Sequence, residues 1–271
     1  MSECLLEKRD DGVALITLNR PESLNALSGV LQDLIGEHLA DCATDANVRC
    51  IAVTGAGRGF CAGGDVKQQS MRAQERESGQ PVAGQVPSLL RPLQDDQMRI
   101  SHQLHTIGKP TVALVNGPAA GAGMSIALAC DMRFCSDQAS FHTAFSKVAL
   151  SGDFGGSYFL QRLIGYGRAL ELYFTGDRIG ADEALALGIA NQVVAHDDFL
   201  PRGLEYCHRF AQGPTRTYAL MKSNFSLAAT ASLEDALAQE AAAMGESGVT
   251  QDHAEGSRAF VERRMPSFSG T

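Results

Sequence analysis

No two cysteines stand at Cys-x-x-Cys spacing, and the seven present (4, 42, 50, 61, 130, 135 and 207) are an odd number scattered along the chain. That excludes a disulfide framework and structural zinc, and it predicts reduced, buried thiols in a cytoplasmic protein. No apolar run approaches the ~20 residues a membrane helix needs, so no membrane partner is expected. Positive charge is scarce as well. The 23 Lys and Arg stand against 31 Asp and Glu, a formal charge of −8, and a nucleic-acid partner would call for a basic stripe. The start Met1-Ser2-Glu3-Cys4 has no basic-then-apolar segment, which predicts no secretory address. A self-similar period of ~20–50 residues is lacking, which removes solenoids. The histidines form no His-x-x-x-His pair with an adjoining glutamate. His102 and His105, three apart without a third ligand, read as a solvated face, so no metal is expected. Without a Gly-x-Ser-x-Gly elbow, serine-hydrolase chemistry has little support.

What is present is an ordinary globular chain of 271 residues, 44% hydrophobic and 20% charged, long enough to bury a core without staples. Two strands are expected around the turn dipeptide Asp11-Gly12; the second, Val13 to Leu18, is apolar on both faces and therefore central. Ser28 can cap a helix whose Val30, Leu31, Leu34, Ile35 and Leu39 recur at helical spacing. Residues 48–54 read as a buried strand, 99–107 as a helix, 111–115 as a strand running into a helix, and 132–165 as a further strand, turn and helix. This alternation predicts an α/β core over residues 1–195. Residues 68–98 are polar, carry three prolines and lack periodicity, so they read as a long lid or binding loop. Beyond 195 only helices are expected, at 198–211, 214–228, 232–244 and 250–264, broken by Gly213-Pro214 and Gly245. They form a C-terminal helical segment, residues 196–271.

Three Gly-rich turns, at 55–67, 116–125 and 151–157, each close an apolar stretch and open a helix. Small residues there let a ligand approach the backbone, and a helix N-terminus offers unpaired N–H groups to developing negative charge. Neither of the first two turns fits a Walker loop or a complete dinucleotide fingerprint. In the third, Asp153 sits among small and apolar residues. It reads either as a helix N-cap or as a partly desolvated base with a raised pKa, and the two are compatible.

Taken in order, Asn19-Arg20-Pro21 with Leu24-Asn25-Ala26-Leu27, GRGFCAGGDV (57–66), KPTVALVNGPAAGAGMSIALACD (109–131), FHTAFSKVALSGDFGGSYFLQRLIG (141–165) and GADEALALGIANQVV (180–194) resemble the crotonase (enoyl-CoA hydratase/isomerase) superfamily over about residues 4–265. The resemblance implies a spiral of ββα repeats followed by C-terminal helices that assemble trimers, often as a dimer of trimers. It implies an acyl-CoA thioester substrate, with no cofactor beyond the coenzyme A of that substrate. The positions matching the family's oxyanion-hole amides are Gly64 and Ala122. The two glutamates that hold water in family hydratases are replaced by Ser125 and Phe145, neither of which can serve as a base. Asp153 falls where other members carry a working carboxylate, used for acid/base chemistry in isomerases and as a nucleophile in 4-chlorobenzoyl-CoA dehalogenases. The dehalogenase ring clamp needs aromatics and this chain has no tryptophan, although Phe145 matches one wall of that pocket. The resemblance places coenzyme A against the backbone around Cys61, Ala62, Asp65 and Val66, with Arg58, Lys67 and Lys222 as candidates for its phosphates. Isomerisation by a single aspartate is the expected reaction; hydration, or acyl-CoA binding without catalysis, are the alternatives.

Overall fold

The computed structural model describes residues 2–64 and 86–271, so Asp65, Val66, Lys67 and the 68–85 part of the expected lid lie outside the described residues. The runs flanking Asp11-Gly12 pair as antiparallel strands β1 (Cys4–Lys8) and β2 (Val13–Leu18). In parallel with β2 follow β3 (Cys50–Gly55), β4 (Thr111–Val115), β6 (Met132–Ser136) and β9 (Gln192–Val194), in the sheet order β1-β2-β3-β4-β6-β9. Every residue of β3 and β4 is buried, as expected of parallel strands covered on both faces. A smaller sheet, β5-β7-β8, is built from Pro118–Ala120, Ser140–His142 and Arg178–Gly180.

Helix α1 (Gly29–Thr44) starts where Ser28 Oγ accepts from the Leu31 amide at 3.0 Å, and it packs Leu31, Ile35, Leu39 and Cys42 into the core. The alternation of β2 and β3 divides their side chains between two apolar layers. Ile16, Leu18, Ile51 and Val53 meet the layer that includes α1, whereas Val13, Leu15, Cys50 and Ala52 join Phe134 and Cys207 on the other.

Between β3 and β4 the structure corrects the expected loop. Residues Val86–Gln97 form α2, which continues through a π-helical turn (Met98–His102) into α3 (Gln103–Thr106). Val86, Leu89, Leu90 and Leu93 do recur at helical spacing. The prolines disguised it: Pro87 occupies the second helical position, where an amide would be orphaned anyway, whereas Pro92 lies inside the helix and costs it one backbone hydrogen bond. Then come α4 (Ala122–Ala129), α5 (Gly156–Ile164), α6 (Tyr166–Thr175) and α7 (Ala181–Leu187). The C-terminal segment comprises α8 (Phe199–Ala211), α9 (Thr215–Ala228), α10 (Leu233–Gly248) and α11 (Gln251–Glu262). Gly245 does not break α10 as expected; a single glycine costs a helix only about 1 kcal/mol, which neighbouring turns absorb. No helix among the described residues is long and apolar enough to cross a membrane.

Candidate active site

Strands β3 and β4 are parallel neighbours, so the chain leaves both at the same sheet edge, the carboxyl edge at which open α/β sheets bind ligands. Two buried asparagines fix the turn after β3. Asn25 Nδ2 donates to the carbonyls of Ala56, Gly59 and Phe60 at 3.0, 2.8 and 3.2 Å. Asn116 Nδ2 donates to those of Gly55, Gly57 and Gly59 at 2.9, 2.8 and 3.2 Å. The turn after β4 then docks on it: the Ala120 amide donates to Cys61 O at 2.9 Å, and the Cys61 amide to Pro118 O at 3.2 Å. The approach is so close that only glycine fits. At Gly63, with φ +84°, a Cβ would stand 2.6 Å from Ala120 O and 3.2 Å from the Ala122 nitrogen. At Gly123 it would stand 2.7 Å from Cys61 Cβ.

Gly64 and Ala122 are thereby brought to one place. Neither amide has an acceptor among the described residues. Ala122 is the first residue of α4, whose N-cap Gly121 supplies no side-chain bond, so the helix end leaves its N–H groups and positive dipole open.

Asp153 lies on the turn before α5. Its reading as an N-cap is corrected: Gly155, at φ +77°, holds that position and no side chain caps the helix. Its Oδ1 is shielded from solvent and has no hydrogen-bond partner among the described residues. Burial pushes the carboxyl up from 3.8 to about 6. A shielded carboxylate oxygen without a partner does nothing for stability, which makes Asp153 a candidate functional group. Its negative charge contributes to holding up both the Cys61 thiol and the Tyr173 hydroxyl, so it stands near the Cys61–Gly64 turn.

The remaining expected residues divide. Ser125 is buried one turn into α4, its hydroxyl donating to Gly121 O at 3.2 Å. Phe145 is buried and stacks on Tyr173 with ring centroids 5.7 Å apart. Arg58 is exposed at the tip of its turn. The Cys61 and Ala62 amides are used inside the fold, on Pro118 O and Leu24 O (2.9 Å for Ala62). The Cys61 thiol turns inward to Asn25 O at 3.1 Å, and burial pushes it up to about 12. Lys222 is ion-paired with Asp131 at 2.9 Å and donates to Lys109 O at 3.2 Å. It lines an apolar cleft of about 580 Å³ along α9, with Tyr158, Phe159, Met221 and Phe225, that shares no residue with the Gly64–Ala122–Asp153 cluster. Among the described residues no group of three His, Cys, Asp or Glu is arranged to hold a metal.

Two residues of the cluster carry no local sequence signal. Gln97, at the end of α2, accepts the Phe154 amide on Oε1 at 2.8 Å and so holds the backbone next to Asp153. Tyr173, on α6, fills the space beside Gly152 and Gly156. Helical periodicity explains either as packing; only the third dimension brings them to the turn.

The chain as a whole has relatives. A family model described as enoyl-CoA hydratase/isomerase matches residues 8–271. Over 270 residues, 100% of both chains, the sequence is 33% identical to 1,2-epoxyphenylacetyl-CoA isomerase of Escherichia coli (strain K12). It is 35% identical over 230 residues to 4-chlorobenzoyl coenzyme A dehalogenase-1 of an Arthrobacter species, covering 85% of this chain and 80% of that one. Among solved structures, an enoyl-CoA hydratase from Bacillus anthracis matches with a TM-score of 0.88 at 30% identity, covering 99% of this chain and 100% of that one.

Proposed function

The chain belongs to the enoyl-CoA hydratase/isomerase family of enzymes acting on CoA thioesters, and from that premise we propose that it moves a double bond within an acyl-CoA, with Asp153 as its one acid/base. The observation that carries this reading is the half-buried Asp153 carboxyl, raised to about 6, with Oδ1 unpartnered among the described residues and its charge felt at Cys61, on the turn that carries Gly64. A carboxyl titrating there is ionised at neutral pH yet basic enough to take a proton.

In the forward direction Asp153 removes a proton from C2 of a 3-enoyl thioester. The electron pair moves into the carbonyl, and the resulting dienolate oxygen is held by the Gly64 and Ala122 N–H groups. The neutral carboxylic acid then delivers a proton at C4, leaving the double bond between C2 and C3, and solvent deuterium enters in those turnovers in which the acid exchanges first. Each fixed donor of this kind is worth about 3–4 kcal/mol to the charged transition state. Ser125 and Phe145, which stand at the family's two glutamate positions, offer no base for water addition, which weighs against hydration. The stacked Phe145–Tyr173 pair suits a flat, unsaturated or aromatic acyl group, in keeping with the ring-bearing esters in the names of two relatives.

The coenzyme moiety is assigned to the exposed side of the Arg58 turn, with no further cofactor, in a cytoplasmic enzyme. Apolar side chains left open on the C-terminal helices, such as Phe225 (81% exposed) and Phe260 (86%), support assembly through that face into a homotrimer or a dimer of trimers. The test is proton exchange in D2O with linear, branched and aromatic CoA thioesters. Wild-type protein exchanges the α- or γ-protons of at least one ester, and Asp153→Asn binds that ester without exchanging it. Unchanged exchange in the variant removes Asp153 from the mechanism.

A further inference from the structure

Gly152 and Gly156 bracket Asp153, and the room both leave is taken by a single side chain. A Cβ at Gly152 would come within 3.0 Å of the Tyr173 ring and 3.5 Å of its hydroxyl. A Cβ at Gly156 would meet the same hydroxyl at 2.5 Å and collide with Ser125 Oγ. The Tyr173 oxygen therefore sits beside Ser125 at the open end of α5, next to Asp153. Phe145 stacks on its ring and leaves it little freedom to swing away. Ser125 already spends its proton on Gly121 O. Tyr173 is half-buried, and its hydroxyl makes no hydrogen bond among the described residues, which leaves it open to a ligand.

Building on the acyl-CoA reading above, we propose that Tyr173 is a specificity-determining residue whose hydroxyl donates a hydrogen bond to an oxygen carried by the acyl group itself. Ser125 lies three residues beyond Ala122, one helical turn or about 5 Å along α4. A donor beside Ser125 consequently reaches past the thioester carbonyl to the level of C3 or C4. Burial and the Asp153 charge push Tyr173 up to about 12, so it stays protonated at neutral pH. It acts as a neutral donor and leaves proton abstraction to Asp153. The chemistry selected is an acyl chain with a hydroxyl, ether, epoxide or keto oxygen near C3 or C4, in preference to the bare hydrocarbon.

The experiment is a calorimetric titration of wild-type protein and Tyr173→Phe with butanoyl-CoA, 3-hydroxybutanoyl-CoA and 4-hydroxybutanoyl-CoA. Wild type is expected to bind one hydroxy ester about 3–10-fold more tightly than butanoyl-CoA, the discrimination one neutral hydrogen bond supplies. In Tyr173→Phe the ratio of the hydroxy-ester affinity to the butanoyl-CoA affinity falls to about one. Equal wild-type binding of all three esters overturns the proposal without recourse to a variant. A preference that survives in Tyr173→Phe, or a variant that weakens all three esters alike, overturns it too, since the first assigns the donor elsewhere and the second reduces Tyr173 to packing. In each of these cases acyl-CoA binding itself still stands. If wild type binds none of the esters, the acyl-CoA reading fails first and this inference goes with it.

Discussion

Replacing Asp153 by asparagine should make the protein more stable while depriving it of its base. Burial raises the carboxyl from 3.8 to about 6, a little over two pH units. At about 1.4 kcal/mol per unit that corresponds to about 3 kcal/mol, and partial solvent access at the turn brings the expected value nearer about 2 kcal/mol. The folded state holds this proton more tightly than the unfolded state does. The group therefore favours folding fully below pH ~4, and that contribution is lost as pH rises to ~6. An asparagine has no such titration. Urea unfolding of wild type and Asp153→Asn, from pH 4 to pH 8 at one protein concentration because subunit association adds to stability, reads the difference directly. The two proteins should differ least at pH 4, and the variant should gain about 2 kcal/mol on wild type by pH 7. A difference that stays flat with pH, or a variant less stable than wild type at pH 7, would refute the desolvated carboxylate and with it the physical ground for calling Asp153 a base.

Other outcomes follow from the same geometry. The wild-type kcat/KM for isomerisation should rise about tenfold per pH unit below ~6 and level off above it, measured in buffers of constant ionic strength. Gly63→Ala forces a Cβ to 2.6 Å from Ala120 O at a φ that disfavours it, and should lower the D2O exchange rate at least about 100-fold by displacing the Ala122 amide. Gln97→Leu leaves the Phe154 N–H without its acceptor; it should cost about 1–3 kcal/mol in urea unfolding and lower kcat more than it raises KM. Lys222→Met strands Asp131, which still accepts from the Thr111 amide at 2.8 Å and its hydroxyl at 3.0 Å. A loss of about 1–2 kcal/mol, read as a lower urea midpoint, is therefore the expected effect.

The parts of this fold legible in sequence are those where one local rule decides. The apolar run of β2, the Ser28 cap and the alternation of strands with helices needed no tertiary information. α2 was hidden because three prolines outweighed the spacing of Val86, Leu89, Leu90 and Leu93, although Pro87 falls harmlessly in the first turn and the helix tolerates Pro92 in its interior. Asp153 could be singled out by its small and apolar neighbours, but not its departure from the N-cap position, which depends on Gly155 adopting a left-handed φ. Cys61 and Ala62 lie in the right turn, yet which amides that turn keeps free depends on where Leu24 and Pro118 arrive. Tyr173 was out of reach for the same reason. Its place beside Asp153 follows from the packing of α6 on α5, and no spacing in the sequence encodes that.

Two opposing fields act on Asp153, and their balance sets how well the site could serve as the proposed base. The N-terminus of α5 begins three residues on, and its dipole favours a carboxylate by about 0.3–1 kcal/mol, less than one pH unit. Burial acts in the other direction by about two units, so desolvation wins in the free protein. A bound acyl group would expel the remaining water and strengthen that side of the balance. Once the C2 proton has moved, negative charge on the thioester oxygen beside Gly64 and Ala122 disfavours a second negative charge on Asp153. The carboxyl is thus at its most basic while it carries the proton, which slows loss of that proton to water relative to its delivery to C4. A base solvated on the open surface would release its proton to water at this stage, and the label would wash out. Isomerisation with partial retention of a C2 tritium at C4 is therefore the signature of a carboxyl held in this way, and complete washout at early conversion would show that water reaches Asp153 faster than C4 does.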